Sequence, residues 1–274
     1  MSKVWFVTGS SRGFGRQFAE SALARGDRLA ATARSVESLK DLVNTYGDAV
    51  LPIALDVTDK TAVVEAVDEA VRYFGQLDVV VNNAGYGLFG TVEELGEADF
   101  RAQMETNVYG ALWVSQAVLP YLRKQGSGHI IQISSFNGIA SIPMMGAYSA
   151  SKFALEGFSD ALGQEVAGFG VKVTLVEPGG YTTDFGGSSA AHSAPIAAYD
   201  GVRHTFFSAL AEIPPGDPAA TGPALLKIVD AENPPSRVMF GSFPLNAVEP
   251  LYQERLKTWK EWGDLAVEAE SVKS

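Results

Sequence analysis

The chain has 274 residues, 46% of them hydrophobic and 19% charged, which suits one large globular domain with a sizeable buried core. Acids outnumber bases 32 to 21, a net charge of −11 at pH 7, and this argues against a nucleic-acid or anionic-membrane surface. The absence of cysteine excludes disulfides, thiolate metal sites and a cysteine nucleophile. No signal-peptide pattern opens the chain and no apolar run is long enough to span a bilayer, so a soluble cytoplasmic protein is expected.

From the first residue, strand-like and helix-like stretches alternate. Apolar β-type runs occur at Val4–Thr8, Arg28–Ala33, Val50–Leu55, Leu77–Val81, Ile130–Ser134 and Val171–Val176. Their hydrophobicity is continuous rather than alternating, as in strands covered on both faces of a parallel sheet. Helical patterns lie between them: Gly15–Arg25, Val36–Tyr46 and Lys60–Phe74, each closed by a glycine, then one from about Ala98 to Arg123 and one from about Ala147 to Ala167. Repeated βα units predict an α/β fold, a single Rossmann-type domain with a doubly wound parallel sheet. After residue 180 the rhythm breaks into Gly/Ser/Ala-rich and proline-rich stretches, with helical patterns near Ala198–Ala211, Pro218–Ala231 and Ala247–Trp262 and a last strand at Arg237–Phe240. A long excursion after a strand end reads as a functional lid, here about residues 184–216, within one domain spanning 1–263. Residues 264–274 are expected to be a frayed tail.

The first strand runs into Thr8-Gly9-Ser10-Ser11-Arg12-Gly13-Phe14-Gly15 at the start of a helix. A glycine-rich turn there lets backbone approach a pyrophosphate, and the helix N-terminus offers unpaired N–H donors and partial positive charge. The spacing is T-G-x-x-x-G-x-G rather than G-x-G-x-x-G. Alone it also fits a surface turn, and the rest of the chain decides between them.

Tyr148-Ser149-Ala150-Ser151-Lys152 puts a phenol and an ammonium on one helix face. Ser135 ends the fifth strand run, thirteen residues before the tyrosine. Over residues 3 to about 184 the chain resembles the short-chain dehydrogenases/reductases. The resemblance rests on Thr8–Gly15, on Asn82-Asn83-Ala84-Gly85 after the fourth strand and on Asn107, Ser135, Tyr148 and Lys152. It continues in Pro178-Gly179 and Thr183 after the sixth strand. It implies about seven strands in the order 3-2-1-4-5-6-7. It also implies a catalytic group of Asn107, Ser135, Tyr148 and Lys152. Tyr148 would be general acid in reduction and general base in oxidation, and Ser135 would bond the substrate oxygen. Lys152 would lower the tyrosine pKa and hold the nicotinamide ribose, and the Asn107 backbone would position a water. A free phenol ionises near 10, so an adjacent ammonium and an oxidised nicotinamide are expected to lower it. Ser134 is expected to contact cofactor or backbone.

Cofactor contacts are expected from Gly9, Ser11, Arg12, Gly13, Phe14, Gly15, Arg34, Asp56, Val57, Asn83, Ala84, Gly85, Tyr148, Lys152, Pro178, Gly179, Tyr181 and Thr183. The second strand ends Ala31-Thr32-Ala33-Arg34 without the acid of an NAD site, and Arg34 and Arg12 suit a 2′-phosphate, so NADP(H) is the expected cofactor. Asp56 could instead cap the next helix, a role that Thr58 or Asp59 fills more naturally. Phe14 and Tyr181 stand where the family more often has aliphatic residues. Tyr86, Phe136, Asn137, Met145 and Phe185 are candidates for a mainly apolar substrate pocket, and no spacing of the three histidines suggests a metal site. The expected partner is a medium-sized carbonyl or alcohol, and the family also forms homodimers and homotetramers. Two other readings share these residues: a dehydratase or epimerase on the same fold, and a non-catalytic NADP sensor.

Overall fold

The computed structural model describes residues 2–187 and 190–270. Seven parallel strands form the central sheet: β1 (Val4–Val7), β2 (Arg28–Ala33), β3 (Val50–Ala54), β4 (Val79–Asn82), β5 (Gly128–Ile133), β6 (Val171–Pro178) and β7 (Arg237–Phe240). Their order across the sheet is 3-2-1-4-5-6-7, as expected. In β1, Trp5 and Val7 face one layer of helices while Val4 and Phe6 face the other, so the period of two that governs any strand feeds two cores. The first core packs against α1 (Gly13–Ala24), α2 (Lys40–Tyr46) and α8 (Thr221–Asp230); the second packs against α3 (Lys60–Phe74) and α5 (Gly110–Gln125). Asp59 caps α3 by accepting from Thr61 and Ala62 N–H at 2.9 and 3.0 Å, a contact worth about 1 kcal/mol. Among the described residues no helix is long and apolar enough to cross a membrane.

The chain reverses direction across the sheet between β1 and β4, which opens a crevice at the strands' carboxyl ends. The single helix expected over Ala98–Arg123 is instead α4 (Glu97–Met104), a π-helical turn (Glu105–Tyr109) and α5. Tertiary bonds to the wide turn, described below, account for the interruption. The long helix α6 (Gly146–Val166) follows β5.

The lid contains a short strand, Ala191–His192, paired in parallel with Leu88–Phe89, and α7 (Asp200–Ala211); Ser188 and Ser189 lie outside the described residues. Helix α9 (Ser242–Glu261) starts earlier than expected because Pro244 sits in its first turn, where a missing N–H costs nothing. The tail expected to fray from residue 264 is helical as far as Ala269, in α10 (Gly263–Ala269), whose Leu, Ala and Glu are good helix formers. Residues 271–274 of that tail lie outside the described residues.

Candidate active site

At the end of β1 the Thr8 N–H donates to Val81 O at 3.0 Å, and the chain then turns through Gly9 (φ 70°) and Gly13 (φ 56°) into α1. Both are left-handed conformations that favour glycine. A Cβ on Gly15 would lie 2.2 Å from Gly9 O, so that position is closed to any side chain. A Cβ on Gly13 would meet nothing nearer than Thr183 at 4.0 Å, which leaves that face of the turn open. Arg12 precedes α1 without a side-chain cap and the first turn holds no acid, so the helix's positive end is uncompensated. This cradle fits a pyrophosphate. Asn83 braces it from β4: its amide Nδ2 donates to Thr8 O at 2.9 Å and Gly9 O at 3.1 Å, while the Asn83 and Ala84 N–H groups donate to Thr8 Oγ1. The side chain of Asn83 is thus spent on the turn, and a ligand meets the turn that Asn83 shapes.

Ser11 is half-buried in the turn, and Ser10 N–H donates to Thr32 O at 2.8 Å, tying it to β2. The exposed Arg34 follows directly after that strand. Arg12 lies 3.7 Å from Asp184 at the start of the lid. Asp56 accepts from Thr58 N–H and hydroxyl at 3.0 and 2.8 Å, leaving the α3 cap to Asp59, and Val57 is buried against Gly110. Gly179 N–H donates to Phe240 O at 2.9 Å beyond Pro178, and Thr183 Oγ1 accepts from Phe185 N–H at 3.3 Å. The rings of Phe14 and Tyr181 meet edge-on at 4.9 Å.

The four residues expected to carry chemistry converge beside this cradle. Asn107, in the π-helical turn, donates from Nδ2 to Tyr86 O and Ser151 Oγ, both at 3.0 Å, and its Oδ1 accepts from Tyr86 N–H at 3.1 Å. Ser151 Oγ in turn donates to Tyr148 O at 2.7 Å, so the turn, the loop after β4 and α6 are laced together. A Cβ on Gly85 would come within 3.0 Å of Asn107 Oδ1 and 3.8 Å of Lys152 Nζ, so Gly85 completes this wall of the site. Ser135 is buried at the end of β5, and its Oγ accepts from Asn137 N–H at 3.1 Å. Tyr148, also buried, stands on α6 with Ser135 beside its phenol. Lys152 lies one turn further along α6, its Nζ 5.6 Å from the Tyr148 ring centre and donating to Ile133 O at 2.7 Å.

Burial pushes the Tyr148 phenol above its ordinary value, and the neighbouring Ser135 hydroxyl offsets only part of this. Desolvation of the phenolate, rather than the expected lowering, sets the direction among the protein's own groups. Lys152 is itself lowered to about 8 by burial, with Glu156 acting in the opposite direction. Ser134 meets backbone, its N–H donating to Val176 O at 2.8 Å, and its Oγ lies against the turn at Gly138.

The family model described as short chain dehydrogenase matches residues 3–194. The chain belongs to the short-chain dehydrogenase family. It is 45% identical over 245 residues to the oxidoreductase BOA17 of Botryotinia fuckeliana, covering 88% of this chain and 89% of that protein. A short-chain dehydrogenase from Streptomyces avermitilis superposes with a TM-score of 0.92 at 39% identity, covering 98% of both chains. A Burkholderia cenocepacia short-chain dehydrogenase in complex with NADP superposes with a TM-score of 0.76 at 26% identity, over 95% of this chain and 97% of that one.

In this short-chain dehydrogenase apolar side chains from the segment after β6 and from neighbouring loops pack on Tyr148. Phe185 meets the Tyr148 ring at 5.0 Å, and Phe89, Met144, Met145 and Phe206 form one cluster with it. Met144 has φ 66°, strained for a residue with a side chain, directly before the helix that carries Tyr148. Tyr86 is half-buried above Asn107, and burial raises its phenol. Two expected pocket residues sit elsewhere. Phe136 packs beneath α9 against Val248 and Leu251 and edge-on to Phe243 at 5.3 Å, because the short turn after Ser135 aims it away from the lid. Asn137 is consumed structurally: its Oδ1 accepts from Ser149 Oγ at 3.1 Å, holding the start of α6.

Sequence reasoning missed Glu94. Its Oε1 accepts from Arg203 Nη2 on α7 at 2.8 Å and from Ile196 N–H at 2.7 Å, while Oε2 accepts from Thr91 N–H at 2.8 Å. The run Thr91-Val92-Glu93-Glu94 carries a capping-box signal, but nothing local indicates that the same acid latches a lid about a hundred residues away.

Proposed function

We propose that the enzyme transfers hydride between NADP(H) and the carbonyl or alcohol carbon of a medium-sized, mainly apolar substrate. The carrying observation is the buried Tyr148 with Lys152 one turn behind it and Phe185 against its ring, beside a glycine cradle. When bound, the nicotinamide supplies the hydride and, oxidised, a positive charge. Tyr148 gives its phenolic proton to the carbonyl oxygen during reduction and takes the alcohol proton during oxidation. The Ser135 hydroxyl donates to the same oxygen and holds it facing the phenol. Lys152 supplies the ammonium that favours the transient phenolate, and the backbone at Asn107 positions the water through which that ammonium exchanges protons.

Gly9, Gly13 and Gly15 with the α1 N-terminus hold the pyrophosphate, and Arg12 and Arg34 take the 2′-phosphate. The absence of an acid at the end of β2 supports NADP(H) over NAD(H), as does the NADP-bound Burkholderia neighbour. The decisive assay follows NADPH consumption with a panel of ketones, aldehydes, quinones and steroids. Turnover of an apolar carbonyl with NADPH well ahead of NADH supports the reading. No NADPH oxidation with any member, or equal use of NADH, refutes it.

A further inference from the structure

On α6, Tyr148, Lys152, Glu156 and Asp160 follow one another at intervals of four, so they line a single helix face leading away from the active site. Glu156 is buried, yet it is no passive end to that row. A Cβ on Gly138 would lie 2.6 Å from Ser134 Oγ, 2.9 Å from Glu156 Cγ and 3.0 Å from Glu156 Oε1. The carboxyl of Glu156 is therefore pressed into the turn after β5, the same turn that presents Ser135. From β7, Arg237 reaches across β6 and pairs with Glu156, with Asp160, and with Glu177 at 3.1 Å. Every charged group facing Glu156 is thereby accounted for on three elements: Lys152 and Asp160 from α6, Glu177 from β6, Arg237 from β7.

A buried acid needs a reason, because an uncompensated carboxylate in an apolar setting is costly. Its neighbour supplies one. Lys152 carries three donors, and its ammonium is buried against the carbonyl of Ile133, which has no net charge. The nearest opposite charge along the helix is Glu156.

We propose that Glu156 is a positioning residue for the hydride-transfer site: clamped by Arg237, its carboxylate keeps Lys152 an ammonium and braces the turn that carries Ser135. The inference rests on the reading of Lys152 given above. Directions of ionisation agree with it, since Glu156 raises Lys152 against the effect of burial. Burial pushes Glu156 itself up to about 7, while Arg237 pulls it down and Glu177 pushes it up. Arg237 also borders a cavity of about 360 Å³ beneath α9, lined by Glu177, Met239, Val248 and Tyr252 among others. The clamp thus borders this cavity, while Lys152 is buried.

The test titrates Lys152 directly, by nuclear magnetic resonance of its ε-carbon in enzyme containing isotope-labelled lysine, with Lys152→Met assigning the signal. Glu156→Gln removes the charge and keeps the shape; the Lys152 midpoint falls by about one pH unit, and the alkaline limb of carbonyl reduction moves down with it. Glu156→Asp keeps the charge on a shorter side chain, so it restores part of the lost midpoint. A structural role alone would lower the melting temperature in both variants and leave the midpoint in place, and that result overturns the proposal. The resonance reports on Lys152 without turnover. Midpoint shifts as stated in the variants, with a wild type that reduces no carbonyl, refute the hydride-transfer reading, whereas an unmoved midpoint in variants of an active enzyme refutes the role of Glu156.

Discussion

The ring of Phe14 stands edge-on to that of Tyr181, centroids 4.9 Å apart with planes at 83°. One belongs to the glycine turn and the other to the segment after β6, and the resemblance leads one to expect aliphatic residues at both. The two rings thus form a single contact joining the glycine turn to the chain beyond β6. In a double-mutant cycle of Phe14→Leu and Tyr181→Val, the coupling should be about 0.5–1.5 kcal/mol by chemical denaturation. Strictly additive losses would show that the rings pack independently.

Tyr148→Phe should keep the fold and the affinity for NADPH while cutting carbonyl reduction by roughly two to four orders of magnitude. The phenol hydroxyl is buried with Ser135 beside it, so its loss leaves no charge stranded. Fluorescence titration and steady-state rates on one preparation separate the two effects; near-normal turnover would remove Tyr148 from the mechanism.

Arg34→Ala and Arg12→Ala should each weaken NADPH binding by about ten- to a hundredfold, the worth of one charge-assisted bond, and change NADH binding little. The effect of Arg12 should be the smaller, because that side chain already lies 3.7 Å from Asp184. A calorimetric titration in which both cofactors weaken equally would mean that these arginines are not reading the 2′-phosphate.

Glu94→Gln should loosen the lid selectively. Arg203 and the N–H groups of Ile196 and Thr91 hold the Glu94 carboxyl down to about 2. Its folded value is below the free value of about 4.3, so the latch contributes fully above that pH and is lost as pH falls toward 2. In the variant, limited proteolysis within residues 190–211 should quicken roughly tenfold at neutral pH while the global denaturation midpoint stays nearly unchanged. Cleavage at the wild-type rate would show that the lid is held by its apolar contacts alone.

His129 should make the fold acid-sensitive. It is buried in β5 with Nε2 2.9 Å from Thr174 Oγ1, and burial holds it down to about 4. Below about pH 6.5 the unfolded chain binds a proton that the folded one refuses, so stability falls between about 6.5 and 4, by on the order of 3 kcal/mol at most. Denaturant melts at the two ends of that window should show the loss in wild type and a smaller one in His129→Gln. Equal slopes would assign the acid sensitivity to other groups.

The strands themselves, the glycine turn and the Tyr148–Lys152 pair were legible because each depends on residues close in sequence: continuous apolar runs, glycines where only glycine fits, and side chains one helical turn apart. The two arginines were legible for the same reason, since each directly follows or sits within a strand-end turn. The order of the strands and the place of Ser135 came from the resemblance to the family. What distant segments do to one another was not legible. The π-helical turn at Asn107 exists because its amide bonds Tyr86 and Ser151, contacts across 21 and 44 residues that no periodicity encodes. Phe136 and Phe185 look alike as pocket candidates in the chain, and only the direction of a three-residue turn sends the first beneath α9 and the second onto Tyr148. Charge follows the same division. The chain shows that Lys152 stands beside a tyrosine. The electrostatic balance there is decided by burial and by a strand eighty residues on that places Arg237 against Glu156, because desolvation and pairing depend on distance in space.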